Sequence, residues 1–381
     1  LAYDRLLIAT GSEPRRFELL DGRPNVLPLR TGELVRAWAL AVPIGVAMTL
    51  FARGATLAGD PAYLRFWHDV GETFPTLTGA PSTAYYLANE RRLITEALPT
   101  LAGCTLLKTD LWDEAKNTRI MQWAADQGAR VYGIDLSEPI VRQARAAFEC
   151  RPLRPVVSDV RRLPFGDGSF DAVYSMGTVE HFAETTAAVA ELARILKPGG
   201  RLILGVPNRH DPFLRPLMVA VLHGLGLYGY GYEKSYSRRQ LRAMLEDAGL
   251  TATLDSGVLF MPGWLRMLDL WCHVHARPLT AITARILAPF VWIDRHLPAA
   301  RRHGYLIASV GVKPGAPVLD GDASEAADIS WRVPATESAP PGVTPTGVEY
   351  AVDARRCAPD ALTSLPRLQG LFADVLGDLN L

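Results

Sequence analysis

Three positions stand where chemistry could be done: Asp135, closing Val131-Tyr132-Gly133-Ile134; Asp159, closing Pro155-Val156-Val157-Ser158; and Met176-Gly177, closing FDAVYS. A carboxylate emerging at a strand tip can accept both hydroxyls of a ribose in charge-assisted hydrogen bonds. Asp135, with Leu136 beside it, is therefore the candidate ribose anchor. Its alternative role is an N-cap for the helix starting near Glu138, which Ser137 fills better. Asp159, or the Val160 amide, could pair with an adenine edge; the competing reading is a strand-to-turn aspartate satisfying local backbone donors. Asp171 opens its strand in GSFDAVYS, at the end away from a ligand, and reads as structural.

Holding those residues together requires a particular architecture. VYGIDLSEPIVRQARAAF (131–148), VVSDVRRLPFGDGSFDAVYSMGTVEHF (156–182) and ELARILKPGGRLILGVPN (191–208) combine short apolar β-branched runs with amphipathic helical stretches. That pattern predicts βαβ units feeding a parallel sheet, whose ligands sit beyond the carboxyl ends of the strands. Pro198-Gly199-Gly200 is expected to stop a helix through a glycine C-cap and lead into a fifth strand, Arg201 to Val206.

This order of an acid ending the second strand, an aspartate ending the third, FDAVYSMGTVEHF and LKPGGRLIL resembles the class I S-adenosylmethionine-dependent methyltransferases, over about residues 80–314. It is similar in particular to the branch (methyltransferase type 11-like) with small-molecule and quinone-biosynthesis enzymes. The resemblance implies a Rossmann-like α/β fold: a doubly wound, mostly parallel sheet with helical insertions. It also implies S-adenosyl-L-methionine as cofactor, held at Asp135, Leu136, Asp159, Val160, Met176 and Gly177, and methyl transfer to a small, hydrophobic or aromatic acceptor.

One segment departs from that pattern. The family carries an acid and three glycines where the first strand turns into the first helix, so that backbone amides reach the cofactor's methionine part. Here Cys104 to Lys108 runs into Thr109-Asp110-Leu111-Trp112-Asp113-Glu114-Ala115-Lys116-Asn117, without a glycine. Lys108 stands where the acid is expected, and Asp110, Trp112 and Glu114 where the glycines are. Asp110, Asp113 and Glu114 could hold an ammonium or sulfonium, and Lys108 or helix amides the cofactor's carboxylate; the alternative is a solvated acidic helix N-terminus.

For catalysis, alignment of the acceptor with an activated sulfonium methyl does most of the work, and a base is needed only for poorly ionised acceptors. His181 and Glu180, after the fourth strand, are the candidate catalytic residues; the competing reading is that they orient the next helix. The acceptor site is expected from two insertions, 206–236 with its run Leu227 to Tyr236, and 259–300 with Trp264, Trp271, His273, His275 and Trp292, together forming an aromatic helical lid. The alternative is a lid packed on itself. His273 and His275, two apart and lacking a third ligand, give no metal site.

Forty basic residues balance forty acidic ones, so no charge argument favours nucleic acid. Cys104, Cys150, Cys272 and Cys357 show no CxxC spacing. With 49% apolar residues, composition suits a cytoplasmic enzyme; the oligomeric state stays open. Residues 1–34 resemble an internal piece of flavin- and nicotinamide-dependent disulfide oxidoreductases and read as a fusion or start-site remnant. Residues 35–79 form an apolar lead-in whose stretch between Arg36 and Arg53, broken by Pro43, is short for a bilayer span, so membrane contact is not expected. Residues 315–346 read as a flexible linker, and 347–381 resemble the opening of bacterial S-adenosylmethionine decarboxylases, cut before their self-cleaving serine. Two other functions stay open: aminopropyl transfer from decarboxylated cofactor, which the acidic loop suits, and a non-catalytic scaffold.

Overall fold

Strand formation follows from apolar residues buried on both faces of one sheet. In β1 (Thr105–Lys108), Leu106 and Leu107 are both fully buried and point to opposite faces. The computed structural model describes residues 61–148, 153–225, 228, 231 and 233–315; the expectations for 1–34, 35–60, 316–346 and 347–381 lie outside the described residues. β2 (Arg130–Asp135), β3 (Leu153–Val157), β4 (Phe170–Met176), β5 (Leu196–Pro207), β6 (Thr251–Val258) and β7 (Leu306–Val312) complete the sheet in the order β3-β2-β1-β4-β5-β7-β6. The first five strands are parallel, and β7 runs antiparallel to β5 and β6. This is the expected doubly wound, Rossmann-like α/β sheet.

Helices cover both faces. α2 (Pro81–Ala97) and α4 (Ile120–Asp126) bury Leu93, Ile94, Ile120 and Met121 against one face; α6 (Thr185–Ile195) and α8 (Arg238–Asp247) bury Val189, Leu192, Leu241 and Leu245 against the other. α1 (Pro61–Thr73) buries Phe66, Val70 and Phe74 at i, i+4 and i+8 and lies on α5 (Glu138–Phe148), where Gly71 leaves room for Ser137 and Ile140. A reciprocal Ser237–Gln240 capping box starts α8, and Gly249, at φ 78°, follows its end.

One local expectation changes and another holds. α6 ends at Ile195 and β5 begins at once, so Gly199-Gly200 caps no helix; the register shifts between Phe170 and Ala172, and Gly199 N donates to Lys313 O at 2.9 Å. Gly200 is required there because a β-carbon would come within 2.8 Å of Lys197 O. Asp171 is structural, as read: Oδ2 accepts the Thr105 amide at 2.8 Å and Oδ1 pairs with Lys197 at 3.0 Å.

Strand order reverses between β1 and β4, so the loops leaving these two strands diverge and open a cleft above their carboxyl ends.

Candidate active site

The loop after β1 is closed by its own polar groups. Lys108 Nζ, 1% exposed, donates to Asp110 O at 2.5 Å and pairs with Asp113 Oδ2 at 3.1 Å. Asp113 Oδ1 accepts Asn117 Nδ2 at 2.7 Å, and Asp110 Oδ1 accepts the Trp112 amide at 2.7 Å. Burial opposes the Lys108 charge, yet Asp113, then Asp110, Glu114 and Glu90 hold its pKa well above the ordinary value. Glu114 sits under α3 (Trp112–Lys116), fully buried, and accepts the Met121 amide at 3.1 Å, capping α4; burial pushes its carboxyl up to about 7. Thus Asp110, Trp112 and Asp113 line the cleft, while Lys108 and Glu114 do not. The segment is not a solvated helix N-terminus, since Asp113 and Glu114 are buried, and Lys108 is not a ligand-facing cation, since it is buried against Asp113.

Asp135 joins this loop to the next. Its Oδ2 accepts the Leu111 amide at 3.0 Å and its Oδ1 the Ser137 amide at 2.8 Å. Leu111 reaches that position by lying over Gly133, where a β-carbon would meet Leu111 Cδ2 at 2.3 Å. The Ser137 hydroxyl is buried with no partner among the described residues, so Asp135, not Ser137, satisfies the backbone ahead of α5. Burial, then the Asp110 charge, raises the Asp135 carboxyl to about 7. Each of its oxygens keeps acceptor capacity toward the cleft, which Leu136 also lines.

Asp159 is held more firmly than a strand-to-turn aspartate would be. Arg161 grips both carboxylate oxygens, at 2.7 Å from Nη2 and 2.9 Å from Nε, and pairs with Glu184 at 3.1 Å; the Arg161 amide also binds Oδ1. The Arg161 guanidinium lies 4.9 Å from the Phe182 ring and 5.7 Å from Tyr63. Arg161 and Tyr63 escaped the sequence reading; Tyr63, Trp67 and Leu77 bring α1 and its following turn into the wall of the cleft.

Beyond β4, Gly177 takes φ 78° and its amide donates to Gly205 O at 3.0 Å. Val179–His181 form one 3-10 turn, with His181 edge-on to Trp67 at 5.1 Å. Glu180 is 2% exposed and its Oε2 has no partner among the described residues; burial, then Glu233, pushes its carboxyl well above the usual range. Behind it, Arg215 Nη2 donates to Glu233 Oε2 at 3.0 Å, Tyr228 donates to the same oxygen, and the guanidinium stacks 4.2 Å from Tyr305. Burial would raise Glu233, but Arg215 holds it below the ordinary value.

The cleft encloses about 230 Å³. It is lined by Asp110, Asp113, Asp135, Leu136, Asp159, Val160, Met176, Gly177, Glu180 and His181 together with seven aromatic side chains, Tyr63, Trp67, Tyr86, Trp112, Phe182, Tyr228 and Tyr305. Of the two predicted insertions, the first brings Arg215, Tyr228 and Glu233 into the cleft wall, and the second is otherwise disposed. Of the helical hairpin α9 (Gly263–His275) and α10 (Thr280–His296), only Arg266 reaches the cleft, its guanidinium 5.2 Å from the Tyr86 ring; Trp264 and Trp292 are 56% and 58% exposed. The hairpin docks elsewhere because its buried acids bind α2: Asp269 accepts Ser82 N at 2.8 Å and Asp294 accepts Asn89 Nδ2 at 3.0 Å. Arg266 has no carboxylate partner among the described residues and donates weakly to Ser82 O at 3.4 Å.

A cleft at the β1/β4 switch point, with acids at the tips of β2 and β3, has a counterpart among known families: residues 116–204 match the one described as Methyltransferase domain. This stretch is similar to methyltransferases. The match begins at Lys116, near the end of the segment that departs from the glycine pattern. The domain is similar to demethylmenaquinone methyltransferase of Thermus thermophilus, 43% identical over 79 residues, which are 20% of this chain and 36% of that one. It is similar also to ubiquinone biosynthesis O-methyltransferase of Xanthomonas axonopodis pv. citri, 34% identical over 145 residues, 35% of this chain and 59% of the relative. The chain thus spans less than two thirds of the length of these relatives. A structure of an S-adenosylmethionine dependent methyltransferase from Mesorhizobium loti aligns with 59% of this chain and 97% of its own, at 16% identity and a TM-score of 0.42.

Proposed function

We propose that the chain transfers a methyl group from S-adenosylmethionine to a small hydrophobic or aromatic acceptor. The observation that carries this reading is the Asp135 carboxylate at the tip of β2, facing an aromatic-walled cleft at the topological switch point. Asp135 would accept the ribose hydroxyls, and Val160 with Asp159, fixed by Arg161, would meet the adenine. Asp110 and Asp113 would take the ammonium of the methionine part. Its carboxylate would pair with Arg266, which replaces Lys108 in the role first expected of it. When bound, the cofactor supplies a methyl group already activated on a sulfonium.

What remains for the protein is to align the acceptor and exclude water. Trp67, Phe182, Tyr228 and Tyr305 all line the cleft and suit a ring, and the matched relatives are a demethylmenaquinone methyltransferase and a ubiquinone biosynthesis O-methyltransferase. His181, turned into the cleft beside Trp67, would receive the acceptor's proton, and the buried Glu180 carboxyl would donate a hydrogen bond to an acceptor oxygen. A second reading, aminopropyl transfer, is favoured by the acidic loop, since decarboxylated cofactor keeps the ammonium and lacks the carboxylate.

Calorimetry of the full chain with both cofactor forms tests these readings. S-Adenosylmethionine is expected to bind, and Asp135→Ala to weaken it by about tenfold to a hundredfold, the effect of losing hydrogen bonds to a charged group. Unchanged affinity in a folded variant sinks the ribose assignment; preference for the decarboxylated form selects aminopropyl transfer; binding of neither leaves a scaffold.

A further inference from the structure

Among the described residues thirteen large apolar side chains are exposed, and twelve of them, all but Val157, lie between Leu214 and Leu297. They are arranged by helix. Leu214, Leu217, Val221 and Leu225 follow i, i+3, i+7, i+11 along α7 (Arg215–Gly224) and its ends, opposite the buried Arg215. On α9, Trp264, Met267 and Leu268 share one side, while Leu265, Asp269 and Cys272 are buried on the other. On α10, Ile282, Ile286 and Trp292 face away from the buried Thr283, Leu287 and Asp294.

The stripes of α9 and α10 are turned the same way, because the buried acid of each helix is bonded to α2. α7 abuts α9 where Gly263 lies against Met218, whose terminal methyl a β-carbon would meet at 3.0 Å. The charges follow one sign. In 209–225 and 259–303 the acids are Asp211, Asp269 and Asp294, each buried; Arg277, Arg285, Arg295 and Arg302 are exposed. No helix among the described residues is long and apolar enough to cross a membrane.

We propose that the outer face of α7, α9 and α10 docks the chain on an anionic lipid bilayer, lying in its interface rather than spanning it. Exposed tryptophans and aliphatic stripes enter the headgroup boundary, and arginines uncompensated by surface acids meet anionic headgroups. This reverses the expectation of no membrane contact, which rested on the stretch between Arg36 and Arg53. A water-soluble partner for so apolar a face would have to be acidic as well, and is one outcome of the test. Because Arg266 sits on α9 and lines the cleft, docking would bring the cleft wall to the membrane.

The test is co-sedimentation of the full chain with phosphatidylcholine vesicles, with and without phosphatidylserine, at low and high salt. Binding is expected to phosphatidylserine vesicles, to fall with salt, and to weaken by about fivefold for each arginine neutralised in Arg285→Gln and Arg295→Gln. The double variant Ile282→Glu, Ile286→Glu should abolish it with an unchanged melting temperature, both side chains being exposed. If that variant does not fold, Trp264→Phe with Trp292→Phe should remove the fluorescence blue shift that vesicles induce in the wild type. No vesicle binding, equal binding to neutral vesicles, or binding insensitive to all these variants overturns the proposal. So does a wild-type dimer, seen by sedimentation velocity, that the isoleucine variant dissociates.

Discussion

The Lys108 ammonium lies 3.1 Å from Asp113 Oδ2 with both side chains buried, so a cation supports the loop from beneath. Removing one member of a buried pair leaves an uncompensated charge. Lys108→Met is expected to cost about 3–5 kcal/mol of stability, read from urea unfolding. Cofactor affinity of the folded variant should change far less than its stability, since Lys108 does not line the cleft. The reverse pattern would return Lys108 to the binding site.

Arg266 provides the complementary test. Arg266→Met should weaken S-adenosylmethionine by about tenfold or more, as loss of a charge-assisted contact does, and leave the decarboxylated analogue unaffected. Calorimetry with the two ligands reads the difference. Equal losses for both would place Arg266 on a part the two ligands share, and no loss for either would place it on the acceptor.

Stability should depend on pH through the buried carboxyls. Glu114 moves from 4.5 to about 7 on folding because of burial, so the folded chain binds its proton more tightly. The resulting stability is fully present below the unfolded value and is lost as pH rises through about 7. Asp135, raised to about 7, and Asp110, raised to about 6, act in the same direction. Melting temperatures should fall between about pH 5 and about pH 8, and Glu114→Gln, which keeps an acceptor for the Met121 amide, should flatten that slope. A slope unchanged in the variant would assign the titration to other groups.

Gly205 supports the cleft from behind. A β-carbon there would lie 2.0 Å from Met176 Sδ, so Gly205→Ala should drive the Met176 thioether into the cleft. Cofactor affinity is expected to drop while the melting temperature changes little, because a flexible side chain can move. A large stability loss with unchanged affinity would show that the backbone yields instead.

The strands and their chemistry-bearing tips were legible in the sequence because apolar runs and the acids closing them are local features. Asp135, Asp159 and Met176-Gly177 all reach the cleft from such runs. Contacts made across long separations were not legible. Trp67 meets His181, and Arg266 meets Tyr86, only after the helices have packed, and no spacing announces either pair. Nor could the pattern show which side of α10 would be covered, since it carries Leu287 on one side and Ile286 on the other; the decision falls to Asp294, which is bonded to Asn89.

Leu111 fills the space above Gly133, and its amide is one of the two that Asp135 accepts. Bare backbone is kept in β2, beneath a loop that has no glycine of its own. Grafting a glycine-rich loop onto this chain would unroof the strand, and an alanine at position 133 would expel Leu111 and release the Asp135 carboxylate. Either change is harmful by itself, so positions 111 and 133 are coupled and tolerate replacement only together.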